Sequence, residues 1–396
     1  MEQRFPQSAE EVSAILSEAS SARRPIFVRG NGTKAGWNQP SSRRSATLQP
    51  GDDEGTALVT SRLNRLIAHR FGDLTATVEA GAVLDDVNRE LARHGQWIPL
   101  DPNWPDRATI GGIVSANDSG PRRHRFGGPR DLIIGIEIAR ADGVRAKAGG
   151  IVVKNVAGYD LARLMTGSFG CLAVILTVTF KLYPLPAASR TVIVDVPDAS
   201  VARALVRAID RTQLTPTAVE IQLPPMRLLI RFESTASSIE TQCSRAVALA
   251  AECGGHANLV DGAEEEALWS EHRRRPWAGD GAVVKVTLLP SELSNVIDAI
   301  ARTAGAANVA IAGRAGLGVL TVGLNGDAGQ ARDTIRALRT RPVGTGSATL
   351  LRASDELKEA VGVWGPQGDA FRIMQGLKRA FDPNGTLNPG GGPHGI

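Results

Sequence analysis

Apolar residues recur at helical spacing from Ser8 to Ala19, and Ser8-x-x-Glu11 supplies a capping box at the start of that segment. Pro25 to Gly30 reads as a short apolar strand that stops at a glycine. Leu74 to Ala80 alternates with period two, the mark of a half-buried strand. Leu84 to His94 returns to helical spacing and Gly95 ends it. Strands follow at Leu132 to Ala139 and Cys171 to Leu182, with a hairpin turn at Asp142-Gly143 and a helix starting at Asp160. Pro184 and Pro186 then break the chain, a boundary signal.

Beyond that break the pattern has a rhythm. Strand Thr191 to Val196, helix Ser200 to Arg211, strands Thr217 to Leu223 and Arg227 to Phe232, and helix Ile239 to Cys253 form one unit. Strand Ala282 to Leu288, helix Ser291 to Thr303, strands Asn308 to Ala312 and Gly318 to Leu324, helix Ala328 to Thr340 and strand Ser347 to Leu351 form a second. Two β-α-β-β-α units predict a duplicated ferredoxin-like arrangement. A last helix, Asp369 to Phe381, runs into the turn Asp382-Pro383-Asn384-Gly385.

Composition narrows the function classes. The 396 residues suffice for two or three domains, and 42% hydrophobic content excludes a disordered or fibrous chain. No stretch approaches the roughly 18 uninterrupted apolar residues of a membrane helix, and the N-terminus lacks a signal-peptide core. Three scattered cysteines give neither a disulfide framework nor a metal site, so the expected setting is cytoplasmic. The net charge of +4 is dispersed. Its densest basic cluster, His272 to Arg275, follows Glu264 to Glu266 and reads as a solvated face rather than a nucleic-acid site.

Glycine concentrates where ligand chemistry is expected. Val28 to Gly36 runs from a strand into a small-residue turn, whose successive N–H groups suit a pyrophosphate, with Arg29 and Lys34 adding charge. A Gly-rich surface turn is the alternative for that segment alone. Thr109-Ile110-Gly111-Gly112 follows a Pro-rich loop and opens a helix with exposed donors. A third block runs from Lys154 to Ile175. The tail Gly390 to Gly395 matches GxGxxG literally but has no flanking strand or helix, so it is set aside. Trp104 stands in the loop before Gly111 and reads either as lying near a ligand or as buried packing; the other tryptophans read mainly as buried packing.

Taken together, these three segments and the closing Phe381 to Gly390 resemble the FAD-binding domain of the vanillyl-alcohol oxidase/p-cresol methylhydroxylase (PCMH-type) flavoprotein family. Within it, KNVAGYDLARLMTGSFGCLAVIL is similar to the FAD-binding subunits of bacterial glycolate oxidases, E-subunit type. The resemblance implies an α+β fold: a PCMH-type FAD-binding domain of two subdomains at 1–186, a ferredoxin-like α+β cap over 187–360, and a C-terminal return at 361–396. It implies non-covalent FAD, since Arg29 to Gly36 holds no histidine. Arg29, Gly30, Asn31, Gly32, Thr33 and Lys34 would cradle the pyrophosphate, completed by Thr109, Gly111 and Gly112. Ser115 and Asn117 would be nearby polar contacts. Asp160, Gly170 and Val174 would approach the adenine-ribose side, Lys154 and Asn155 the isoalloxazine edge, and Asn388 would contact from the C-terminus.

The resemblance also implies an activity: glycolate or a similar 2-hydroxy acid oxidised by hydride transfer to flavin. The implied partners are a second FAD subunit and an iron–sulfur subunit, with neither nucleic acid nor a transmembrane segment, in the cytoplasm or peripheral to the inner membrane through those partners. Catalytic relatives carry a segment resembling G-H-x-G-D-G-N-x-H. Here Gly313-Arg314-Ala315-Gly316-Leu317-Gly318-Val319-Leu320 stands in its place. Arginine stays protonated and serves as neither base nor ordinary metal ligand. No metal site is therefore expected. The catalytic residue stays open, with Arg314 and Lys154 as candidates and Arg273 to Arg275 as a further carboxylate binder. The alternative is a non-catalytic flavin-carrying or scaffold subunit.

Overall fold

Ser8 begins the first helix, Ala9–Ser21, because its hydroxyl accepts the Glu11 N–H at 3.2 Å, while Glu11 accepts the Gln7 N–H at 2.8 Å. Val12, Leu16 and Ala19 face inward from it. The molecule is described from a computed structural model, which covers residues 1–37, 55–151, 159–340 and 346–396. The chain forms two compact units. The first comprises Met1–Ser119, Gly127–Leu185 and Gln367–Ile396; the second comprises Gly120–Phe126 and Pro186–Pro366.

Among the described residues, the first unit holds three sheets. Strands β1 (Glu2–Arg4), β2 (Ile26–Arg29) and β3 (Thr56–Val59) make a parallel sheet in the order β1-β3-β2. Ile26 at its edge also bridges to Leu387, so the C-terminal segment adds to the free side of β2. Strands β4 (Leu66–Arg70), β5 (Thr75–Glu79), β6 (Gln96–Trp97), β7 (Ile133–Arg140), β8 (Arg145–Gly149), β9 (Ala173–Lys181) and β10 (Tyr183–Pro184) follow. Five of them form an antiparallel sheet, β4-β5-β9-β7-β8, and β6 pairs with β10. The hairpin of β7 and β8 turns at Asp142-Gly143, where Gly143 takes φ +83°. Val78, Ile138, Val178 and Phe180 of this sheet are fully buried under helices Leu84–Ala92 and Ile110–Ala116.

In the second unit, strands β11 (Ala188–Asp195), β12 (Ala218–Leu223), β13 (Arg227–Ser234), β14 (His256–Val260), β15 (Ala282–Leu288), β16 (Val309–Arg314), β17 (Val319–Leu324) and β18 (Gly346–Arg352) form one eight-stranded sheet. The order is β14-β11-β13-β12-β16-β17-β15-β18, antiparallel throughout. Each half is a β-α-β-β-α-β unit, and the halves join where β12 pairs with β16. Helices Ala199–Asp210, Ala236–Glu252, Leu293–Ala304 and Ala328–Arg339 cover one face with a continuous apolar core.

Two elements of this unit escape periodicity. Strand β14 is a half-exposed edge containing His256 and Asn258, residue types poor at signalling a strand. Helix Gly262–Arg274 reads as charged surface, yet its Glu265, Trp269 and His272 are buried. Those positions follow i, i+4, i+7, but they carry polar and aromatic groups instead of aliphatic ones. They pack on the second face of the sheet, where polar partners meet them. Trp269 Nε1 donates to Thr191 Oγ1 at 2.9 Å, Thr191 Oγ1 donates to Glu265 at 2.6 Å, and His272 Nε2 lies 3.0 Å from Glu220. The expectation of a solvated face at His272 to Arg275 therefore fails at His272, which is 1% exposed.

Candidate functional site

Three loops and the C-terminal segment of the first unit enclose a cavity of about 450 Å³. Its first wall is the turn after β2. Asn31, Gly32 and Thr33 donate no backbone hydrogen bond to another described residue, so their N–H groups are available to an anion. Gly30 is required there, because a Cβ would sit 2.2 Å from Thr109 Oγ1. The second wall is the start of helix Ile110–Ala116, with Thr109, Gly111, Gly112 and Ser115 on the cavity. Gly111 donates to the Ala80 carbonyl at 2.7 Å, an approach that a side chain would obstruct.

The third wall is the turn before β9, where Phe169, Gly170, Ala173 and Val174 meet the cavity. Asn388 of the C-terminal segment closes it. Its Oδ1 accepts the Val28 N–H at 2.7 Å, its Nδ2 donates to the Phe169 carbonyl at 2.9 Å, and its N–H donates to the Ile26 carbonyl at 2.8 Å. Gly170, at φ +70°, packs so tightly that a Cβ would meet Asn388 Nδ2 at 2.6 Å.

The segment carrying Asn388 is itself clasped. Lys378 Nζ donates to the carbonyls of Cys171 and Leu387, at 2.9 and 2.7 Å, and pairs with the fully buried Asp382 carboxylate at 2.6 Å. Asp382 in turn accepts the N–H groups of Thr386 and Leu387. Burial pushes the neighbouring Cys171 thiol up to about 12.

Of the expected contacts, Arg29, Gly30, Asn31, Gly32, Thr33, Lys34, Thr109, Gly111, Gly112, Ser115, Gly170, Val174 and Asn388 all line this cavity. Three do not join them. Asn117 lies at the far end of helix Ile110–Ala116, in the left-handed region at φ +48°, and terminates it. Asp160 is exposed and caps helix Leu161–Met165 by accepting the Arg163 N–H at 3.0 Å. Trp104 is not on the cavity either; its carbonyl accepts the N–H groups of Arg107 and Ala108. Lys154 and Asn155 fall outside the described residues.

Lys34 also differs from expectation. Its ammonium does not stand free for a phosphate: it pairs with Asp118 at 3.2 Å, and both side chains are nearly buried. Nothing in the glycine pattern points to Asp118.

Arg314 ends β16 in the second unit, 8% exposed and directly across from Glu220 in the strand register. On the same sheet Arg231 and Glu233 share β13, and Glu233 is flanked by Arg231 at 3.4 Å and by Arg122, from the 120–126 segment, at 2.8 Å. Burial alone would raise the Glu233 carboxyl, but the two guanidiniums outweigh it and hold it at about 2. Among the described residues, no group of three or more His, Cys, Asp or Glu is arranged to hold a metal ion.

The cavity offers an anion the open backbone donors of the turn after β2, and its lining also includes small residues such as Gly111 and Gly112 and apolar Val174 and Ile175. Comparison with known proteins agrees. Residues 4–149 match the FAD binding domain family, and residues 364–391 match the C-terminal domain of FAD linked oxidases. Glycolate oxidase subunit GlcD of Bacillus subtilis (strain 168) is 28% identical over 97% of this chain and 87% of its own length. Glycolate oxidase subunit GlcE of Escherichia coli (strain K12) is 33% identical over 44% of this chain and 47% of its own. A D-lactate dehydrogenase of Archaeoglobus fulgidus is 34% identical over 45% and 38%. Among solved structures, p-cresol methylhydroxylase with substrate bound shares the fold at TM-score 0.72 and 14% identity, over 98% of this chain and 88% of that one. A 4-ethylphenol oxidase from Gulosibacter chungangensis does so at 0.74 and 14%, over 99% and 89%. The cavity, the matched segments and the shared architecture together make this chain an FAD-dependent oxidoreductase with the PCMH-type FAD-binding fold.

Proposed function

We propose that this chain is the FAD-binding subunit of a glycolate oxidase-type complex, in which glycolate or a similar 2-hydroxy acid is oxidised to the 2-oxo acid. The observation that carries the reading is the cavity: a turn of open N–H donors, a glycine-opened helix and a C-terminal clasp, in a chain whose relatives are named as glycolate oxidase subunits and a D-lactate dehydrogenase. FAD supplies the two-electron acceptor that takes the substrate hydride. The N–H groups of Asn31, Gly32 and Thr33 would hold its pyrophosphate, Gly111 and Gly112 would allow the cofactor against the backbone, and Gly170 to Val174 would take the adenine side. The loop holds no histidine for a covalent link, so the FAD is non-covalent.

Electrons then leave to partners. A four-cysteine iron–sulfur cluster does not fit a chain with three cysteines, two of them buried, so such a centre sits on another subunit. The partners are an iron–sulfur subunit and a second FAD subunit, of GlcD type if this chain is the GlcE type. No helix among the described residues is long and apolar enough to cross a membrane.

Arg314 favours a second reading, a flavin-carrying or scaffold subunit whose chemistry sits on a partner. A buried arginine across from Glu220 neither abstracts a proton nor binds a metal. It retains the capacity to bind a carboxylate.

Anaerobic absorbance separates the readings. The purified chain reconstituted with FAD is titrated with glycolate and with D-lactate. Bleaching of the flavin band means that this chain carries out the hydride transfer. A flavin spectrum that does not bleach means the flavin-carrying role. Failure to bind FAD overturns both.

A further inference from the structure

The helix Ile110–Ala116 meets the cavity at its first turn, through Gly111 and Gly112. Its other end ties back to the phosphate turn by a separate route. After the left-handed Asn117, the Asp118 N–H returns to the Ile113 carbonyl at 3.0 Å, which fixes the Asp118 backbone to the helix. The Asp118 carboxylate then takes Lys34 Nζ at 3.2 Å and the Asn103 N–H at 3.2 Å. Lys34 is positioned further by Thr33 Oγ1, at 3.3 Å, and by the Trp37 ring, whose centre is 5.8 Å from Nζ. A second tie runs parallel to it: Asn31 Nδ2 donates to the Arg107 carbonyl at 3.0 Å.

We propose that Asp118 is a positioning residue for the dinucleotide pyrophosphate: through Lys34 it locks the Gly30 to Lys34 turn against the segment that follows helix Ile110–Ala116, so that the open Asn31, Gly32 and Thr33 N–H groups are held in place for one anion. The inference rests on the FAD reading of the cavity and deepens it. Two physical effects compete here. Removing Asp118 releases an ammonium beside the anion site, which by charge alone would tighten anion binding. It also unties the turn whose donors must be held towards the anion, which weakens it through lost preorganisation. The side chains are 9% and 4% exposed, and Asp118 also organises the Asn103 loop. Geometry therefore outweighs the freed charge.

Binding of FAD, ADP and adenosine to the FAD-free chain tests this, by FAD fluorescence quenching and by competition. ADP reports the pyrophosphate; adenosine reports the adenine end alone. The D118A variant is expected to bind FAD and ADP about tenfold or more weakly, the equivalent of one lost interaction of ordinary strength, with adenosine unchanged. D118N keeps an acceptor for Lys34 and Asn103 and is expected to recover most of the loss. K34A and the K34A/D118A pair are expected to match D118A, because Asp118 acts through Lys34. Equal ADP affinity in D118A and the parent overturns the proposal, as does tighter ADP binding. An equal fall for ADP and adenosine, with a lower melting temperature, also overturns it and leaves a merely structural ion pair. If the parent binds neither FAD nor ADP, the FAD reading itself fails, and that outcome is distinct from the others.

Discussion

Asn388 Oδ1 accepts the Val28 N–H at 2.7 Å, although 360 positions separate the two residues. The same amide group serves the Phe169 carbonyl, so one side chain joins the parallel sheet, the turn before β9 and the C-terminal segment at the cavity rim. Replacing Asn388 with alanine leaves a part-buried donor and a part-buried acceptor without partners, at roughly 1–3 kcal/mol each. The N388A variant is expected to unfold at lower denaturant concentration and to bind FAD more weakly. Urea unfolding of the FAD-free chain with parallel FAD titration checks both. Unchanged affinity in a folded N388A would show that the rim contact is not used by the cofactor.

The clasp beneath that segment makes a sharper prediction. Lys378 neutralises the fully buried Asp382 while bonding two carbonyls. The K378M variant strands a buried carboxylate, an effect of about 3–5 kcal/mol. Residues 382–396 should then detach before the rest of the unit. Limited proteolysis followed by mass spectrometry is expected to cut K378M near residue 382 under conditions that spare the parent. The double replacement K378M/D382L removes both charges and is expected to recover part of the stability.

Thiol chemistry offers an independent check on packing. Cys171 and Cys243 are buried, and burial pushes their thiols up to about 12 and about 11. Cys253 is half-buried. A chromogenic disulfide reagent near pH 8 is expected to titrate one thiol rapidly in the native chain and three in denaturant. Fast reaction of all three would contradict the packing around Lys378.

Acid should weaken the second unit through Glu233. Its carboxyl, held at about 2 against an ordinary 4.5, is ionised in the folded chain at pH values where the unfolded chain already takes up a proton. The stabilisation is therefore full above about 4.5 and is lost as pH falls towards about 2. The E233Q variant is expected to be less stable than the parent at pH 7, because Arg122 and Arg231 lose their partner. The gap should narrow steadily below pH 4.5. Urea midpoints at pH 7, 4 and 3 measure it, and a gap independent of pH would remove Glu233 from the acid response.

The phosphate turn, the helix opening at Gly111 and the turn at Gly170 were legible in the sequence for a physical reason. Each needs glycine: to clear Thr109, to approach Ala80, or to adopt φ +70° beside Asn388. Alternation likewise marked β5, and the recurring order of strands and helices marked the ferredoxin-like units. Asp118 and the Lys378–Asp382 pair left no such trace, because a single charged residue carries no periodicity and its partner is fixed only by the fold. Helix Gly262–Arg274 shows the same limit differently: its buried stripe is Glu265, Trp269 and His272, which no hydrophobic pattern distinguishes from surface. Asn117 shows how a polar residue just past a helix reads equally well as a ligand contact or as the left-handed stop that ends the helix.

The discontinuity of the first unit sets a timetable for biosynthesis. Its parallel sheet and the turn after β2 are translated before the Pro186–Pro366 segment, but Leu387 and Asn388, which complete the β2 edge and the cavity rim, are translated only after it. A nascent chain thus carries an open, half-walled cavity until that segment is made, and a chain arrested before helix Phe371–Phe381 never gains the Lys378 clasp. Closure of the cavity rim is thereby postponed until the segment that carries Asn388 has been made.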